Sequence, residues 1–145
     1  MAKCFALLVW SLSVIESMQK FNKNYVVVSF PDFEEYAKEN NIPFVPYRFD
    51  EWSDSSNSID LLEKLNPWNV DVAVPLFEET VEWAGALNSI YRNDPRVFNR
   101  SFLFRNKAMM KRKALIGGLR VGLFEEVYNK EGVKNFMKRL NQANL

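Results

Sequence analysis

Four short apolar runs, separated by segments of helical character, constrain this chain more than any other feature. The runs are KCFALLVW (3–10), YVVVSF (25–30), FVPYRF (44–49) and VDVAVPLF (70–77). The first is apolar without a break, the pattern of a strand covered on both faces. The second is β-branched and aromatic, as strands prefer. In the third, Pro46 withholds a backbone N–H and points to a strand near a sheet edge. Residues 12–20 read as a short helix, DFEEYAKENN as a helix with acids in its first turn, and SIDLLEKLNPW as a helix stopped at Pro67. ETVEWAGALNSIYR (79–92) is amphipathic, with Val81, Ala84, Leu87 and Ile90 or Tyr91 on one side. Strands alternating with helices predict an α/β fold: a four-stranded, mainly parallel sheet with right-handed crossovers and helices on both faces.

At 145 residues, 48% apolar and 14% aromatic, the chain has the material for a real core and is not of a disordered class. It contains no histidine, which removes histidine bases, Ser-His and Cys-His catalysis and the common zinc sites. Its one cysteine, Cys4, permits no internal disulfide. The start, MAKCFALLVWSLSVIES, shares a lysine and an apolar run with signal peptides. Ser11 and Ser13 interrupt that run and no small-x-small cleavage site follows, so a buried first strand is expected. No apolar segment is long enough to cross a bilayer. The chain therefore reads as cytoplasmic, without a membrane partner, and the sequon Asn99–Ser101 carries no meaning.

In open parallel sheets ligands bind beyond the carboxyl ends of the strands. After the first run comes SLSV, without the glycine-rich turn of a dinucleotide fold. A phosphate-accepting receiver would need acids there; the acids Asp50 and Glu51, before Trp52, follow the third run instead. After the fourth run Glu78 stands at the strand tip, where a functional acid belongs. Glu78 and Glu79 also suit the start of the next helix on electrostatic grounds alone.

The net charge of +1 conceals an asymmetry: residues 1–94 carry seven bases and fifteen acids, whereas 95–124 carry eight bases and no acid. Such a break marks a boundary between structural units, read here as 1–93 and 94–145. NDPRVFNRSF (93–102) reads as a connector. Asn106 then caps a helix over Lys107–Ile116, which ends at Gly117–Gly118. RVGLFEEVY (120–128) reads as a strand, and a last helix begins near Glu131, with Val133, Phe136, Met137 and Leu140 at helical spacing. Lys107 sits in the first turn of its helix, an adverse place for a cation unless an anion binds there. Lys111 lies one turn on, on the same face, whereas Arg112 and Lys113 point elsewhere. These bases serve equally to keep the helix soluble. A nucleic-acid patch over 96–113 ranks below a small-anion site, because the aromatics Phe98, Phe102 and Phe104 precede the bases and the neighbouring region is acidic.

Four features occur in order: VDVAVPLFEETVEWAGAL, a connector, RNKAMMKRKALIGGLRVGLFEEV, and NKEGVKNFMKRL. Over roughly residues 25–140 this order resembles the amino-terminal part of an ATP-grasp ligase, a Rossmann-like pre-ATP-grasp domain followed by a partial α+β segment of helix, strand and helix. The resemblance makes Lys107 the family's first ATP-phosphate lysine and Glu78 the acid at the fourth strand tip beside the nucleotide and substrate cleft. It matches Met110 and Lys111 to a frequent Met-base pair, with Lys111 a further candidate for the nucleotide, and Gly118-Leu119 to a Gly-aliphatic turn. Asn106 stands where Asp is commoner, and the first strand lacks the Gly-rich turn of many members.

The resemblance implies a parent enzyme that uses ATP and magnesium to phosphorylate a small carboxylate, whose acyl phosphate an amine then attacks. The second phosphate lysine, the glycine-rich flap, the adenine-binding residues and the metal ligands of that family have no counterpart in this sequence. The expectation is an amino-terminal fragment that is inactive by itself, with no catalytic or metal-ligating residue of its own. Residues 94–145 are too short for a separate core, so their apolar helix faces pack back or pair in a homo-oligomer. The alternatives are a non-catalytic α/β interaction domain with a basic arm and a nucleic-acid binder.

Overall fold

The computed structural model describes residues 2–49 and 58–142. Asp50, Glu51 and Trp52, weighed above as a strand-end acid pair and its neighbour, lie outside the described residues. The chain forms two compact units, Met1–Arg105 and Asn106–Leu145.

The first unit alternates strand and helix as the apolar runs predict. β1 (Cys4–Leu8) leads to α1 (Leu12–Lys20), β2 (Asn24–Ser29), α2 (Glu34–Glu39) and β3 (Phe44–Pro46). α3 (Ser58–Leu65), β4 (Val72–Pro75), α4 (Val81–Tyr91) and α5 (Arg96–Arg105) follow. Short 3-10 turns, Pro31–Phe33 and Glu78–Thr80, open α2 and α4. The sheet order is β3-β2-β1-β4 and every pairing is parallel. β3 with Pro46 is an edge strand, as the proline requires.

Alternation along the strands separates two apolar layers. Leu7 and Val27 point toward Ile15 of α1 and Ala37 of α2. Ala6, Leu8, Val26, Val28 and Ala73 point to the opposite layer, with Leu61 and Leu65 of α3 and Trp83, Ala84 and Leu87 of α4. Helices therefore cover both faces, and the buried stretches Ala6–Leu8 of β1 and Tyr25–Val28 of β2 are apolar because neither face meets water. Trp83 anchors the second layer at 2% exposure, edge-on to Tyr47 and Phe49 at ring separations of 5.7 and 5.3 Å. A buried aromatic of this size contributes several kcal/mol; truncation to alanine costs about 3–5 kcal/mol. Of the residues that helical spacing put on one side, Ala84 and Leu87 are buried, Val81 and Tyr91 are half-buried, and Ile90, the alternative to Tyr91, is 46% exposed; Trp83 and Gly85 are buried with them.

Four asparagines among the described residues carry left-handed backbone where the chain turns. Asn22, Asn41, Asn69 and Asn93 have φ of 48°, 52°, 47° and 49°, left-handed conformations that asparagine tolerates better than most residues. Each follows a helix or 3-10 turn and ends it without a glycine.

Residues 93–102, expected as a connector, instead contain most of α5. Asp94 caps this helix by accepting the Arg96 N–H at 3.0 Å, and Pro95 precedes its first residue, a position where its missing N–H costs nothing. α5 packs against α4 so closely that a Cβ on Gly85 would stand 1.8 Å from Ser101 Oγ.

The second unit contains α6 (Lys107–Ile116) and α7 (Lys130–Gln142). The expected strand over 120–128 is corrected: these residues make no strand pairing. A strand needs a neighbour to take its backbone hydrogen bonds, and this unit has none among the described residues. None of the described residues from 106 to 142 is buried, so the unit has apolar faces but no core of its own.

Candidate functional site

The order β3-β2-β1-β4 means the chain leaves β1 toward β2 and later returns on its other side as β4. The carboxyl ends of β1 and β4 thus flank the topological switch point, where parallel sheets bind ligands. At the β1 tip, Val9 adopts φ of 78° while its N–H still bonds the Val28 carbonyl at 2.8 Å. This left-handed geometry is glycine's by preference and strained for a β-branched residue. No glycine stands here, and valine takes the left-handed conformation. The chain leads on through Trp10, which stacks on Phe33 at 4.9 Å, into the N-terminus of α1 at Ser11. The Ser11 side chain caps no backbone N–H of α1 and lies 3.3 Å from Ser13 Oγ.

At the β4 tip, exposed Phe77 and Glu78 begin the turn into α4. Glu78 is 57% exposed and faces Arg105 Nη1 at 3.6 Å. A pair this open contributes about 1 kcal/mol or less, so it orients the carboxylate more than it stabilises the fold. One turn on, Glu82 is buried at 8% exposure. Its carboxyl is pushed above the usual range by desolvation, and the Arg105 guanidinium opposes that shift. Arg105 therefore serves two acids of one helix start. Sequence reading placed Arg105 in the basic stretch and passed over Glu82, because the helical continuation of α5 through 105 was not recognised. The Asp-Pro pair at 94–95 was the available signal.

In the second unit, Asn106 caps α6 as expected: its side-chain oxygen accepts the Met109 N–H at 2.9 Å. Lys107 is the first residue of that helix and is exposed. Lys107 and Lys111 line one open groove of about 350 Å³, together with Phe124, Glu125 and Glu126. Lys111 Nζ stands 5.2 Å from the centre of the Phe124 ring, a cation–π contact. Both groove carboxylates already have cationic partners, Glu125 with Arg139 and Glu126 with Arg112. Arg112, expected to be merely solvated, thus binds an acid, and Lys107 keeps its charge uncompensated by any ion pair among the described residues. The folded chain brings Lys107 and Lys111 to one groove; Glu78 belongs to the other compact unit. Among the described residues no group of three or more metal-ligating side chains occurs, and no helix is long and apolar enough to cross a membrane.

No family model matches the sequence, and no curated protein does. Solved structures do match in fold. An L-amino acid ligase from Bacillus licheniformis superposes with a TM-score of 0.65 at 15% identity, covering 96% of this chain and 42% of that one. A phosphoribosylglycinamide synthetase from Anaerococcus prevotii gives a TM-score of 0.61 at 12% identity, covering 96% of this chain and 35% of that one. The chain therefore spans less than half the length of either neighbour, and at these identities what they share with it is the fold.

Proposed function

We propose that this chain is the amino-terminal part of an ATP-grasp ligase. The first compact unit is its pre-ATP-grasp α/β domain, and α6 opens the partial ATP-grasp segment. The observation that carries the reading is the fold likeness to two ligases across nearly the whole chain. The ordered motifs of the sequence support it independently. The parent enzyme joins a small carboxylate to an amine through an acyl phosphate, with ATP as phosphoryl donor. Lys107 binds a nucleotide phosphate: its ammonium and the free N–H groups of the first turn of α6 suit an anion together. Lys111 supports the same groove wall, and Glu78 lies at the substrate cleft beyond β4. When bound, ATP supplies the phosphoryl group and the affinity of its phosphates. Among the described residues no cluster of metal-ligating side chains is present to hold magnesium.

The test is an ATP titration of the chain and its variants by calorimetry or NMR. Lys107→Ala loses a charged hydrogen bond, about 1.5–3 kcal/mol or tenfold and more in affinity. Lys113→Ala changes little. Equal effects of the two substitutions, or none from either, remove Lys107 from the site. A nucleic-acid role predicts instead similar losses at every base from Arg105 to Lys113, with steep salt dependence.

A further inference from the structure

α4 and α5 form a helical hairpin whose facing sides meet at Gly85 and Ser101 and leave a groove of about 270 Å³ beside that contact. The connection from Arg92 to Pro95 is short, so the two helices run antiparallel. That direction fixes what lies along the groove. Val81 from the start of α4 and Phe104 from the end of α5 line its far end. Arg92 at the end of α4 and Arg100, one turn into α5, line the end near the connection. Phe104 is 72% exposed, an isolated large aromatic at the mouth of an apolar cleft. Among the described residues neither Arg92 nor Arg100 has a carboxylate within ion-pair distance. The acid beside them, Asp94, is already held by Arg96 through bonds of 2.8 and 3.0 Å. Arg92 and Arg100 make no ion pair among the described residues, although Asp94 still feels the Arg100 charge, and both stand at one end of an apolar slot.

We infer that this groove binds a small amphipathic carboxylate, with its anionic head at Arg92 and Arg100 and its apolar body toward Val81 and Phe104. An open groove of about 270 Å³ suits a small aryl or branched alkyl acid better than a nucleotide. Guanidinium groups favour carboxylate over other heads through paired, planar hydrogen bonds. The groove reaches Pro75 at the end of β4 but includes neither Glu78 nor any residue of α6, and the inference does not depend on the proposed ligase activity.

The full chain, labelled with ¹⁵N, is titrated with 3-phenylpropionate to about 10 mM, with neutral 3-phenylpropanamide and acetate as comparators. The expected result is saturable shifts at Val81, Val97 and Phe104 with 3-phenylpropionate, and binding at least about tenfold weaker with either comparator. The Arg92→Gln, Arg100→Gln double variant, whose sites are exposed and whose folding circular dichroism checks, weakens 3-phenylpropionate about tenfold while leaving ATP titrations unchanged. Equal binding of the neutral amide overturns the inference, as does unaltered binding by the double variant. Concentration-dependent shifts at the same residues without any probe assign the groove to a second copy of the chain, and also overturn it.

Discussion

Asn88 on α4 closes both backbone hydrogen bonds of Ala73 on β4, accepting its N–H and donating to its carbonyl at 2.8 Å each. β4 is an edge strand, and a side-chain amide takes the place that another strand's backbone would occupy. Asn88→Ala strips a donor and an acceptor from a half-buried strand. The expected loss is about 1–3 kcal/mol in urea unfolding. Asn88→Asp keeps the acceptor but sets a charged oxygen against the Ala73 carbonyl, and is expected to lose at least as much as Asn88→Ala. An unchanged midpoint for Asn88→Ala would mean that water replaces the amide without cost.

Gly85 admits no side chain against Ser101. Gly85→Ala forces its new Cβ into Ser101 Oγ, and overpacking of this kind costs about 1–3 kcal/mol. Adding Ser101→Gly removes the obstructing atoms, and a double-mutant cycle is expected to show strong positive coupling. Additive effects would place the strain elsewhere.

Glu82 gives the stability a pH dependence of known sign. Its folded carboxyl titrates above the ordinary value of 4.5, chiefly from desolvation, so the folded state holds its proton more tightly than the unfolded chain does. The stabilisation is complete below about pH 4.5 and is lost as pH rises through the raised folded value. Glu82→Gln mimics the neutral form. Relative to the native chain it is expected to be equally stable in acid and more stable at pH 7, as measured by thermal unfolding at both pH values. The opposite trend would mean that the Arg105 charge outweighs desolvation.

Two neighbouring residues of α6 have opposite effects on that helix. Asn106→Ala removes the side-chain cap on Met109 N–H and costs the helix about 1 kcal/mol. Lys107→Ala removes a cation from the positive end of the helix dipole and strengthens it by a few tenths to about 1 kcal/mol. Hydrogen exchange at the α6 amides reads both directly. Slower exchange in Asn106→Ala would contradict the capping geometry.

The sequence alone determined the layered α/β class, the four strands in their places, the edge position of β3 and the span and cap of α6. These are local matters: apolar period, β-branching, the missing proline N–H and a side-chain cap are written within a few residues of where they act. α5 was missed because phenylalanines and arginines at 96–105 look equally like a basic linker, and only packing on α4 at Gly85 makes them a helix face. The strand expected at 120–128 failed for the converse reason: β-propensity is realised only when a partner accepts the backbone hydrogen bonds. At the candidate site the tip residue Glu78 was readable from its position after an apolar run. Its pairing with Arg105, the burial of Glu82, the left-handed Val9 and the Arg92–Arg100 groove were not, since each joins residues whose proximity exists only once the sheet and its helices have packed.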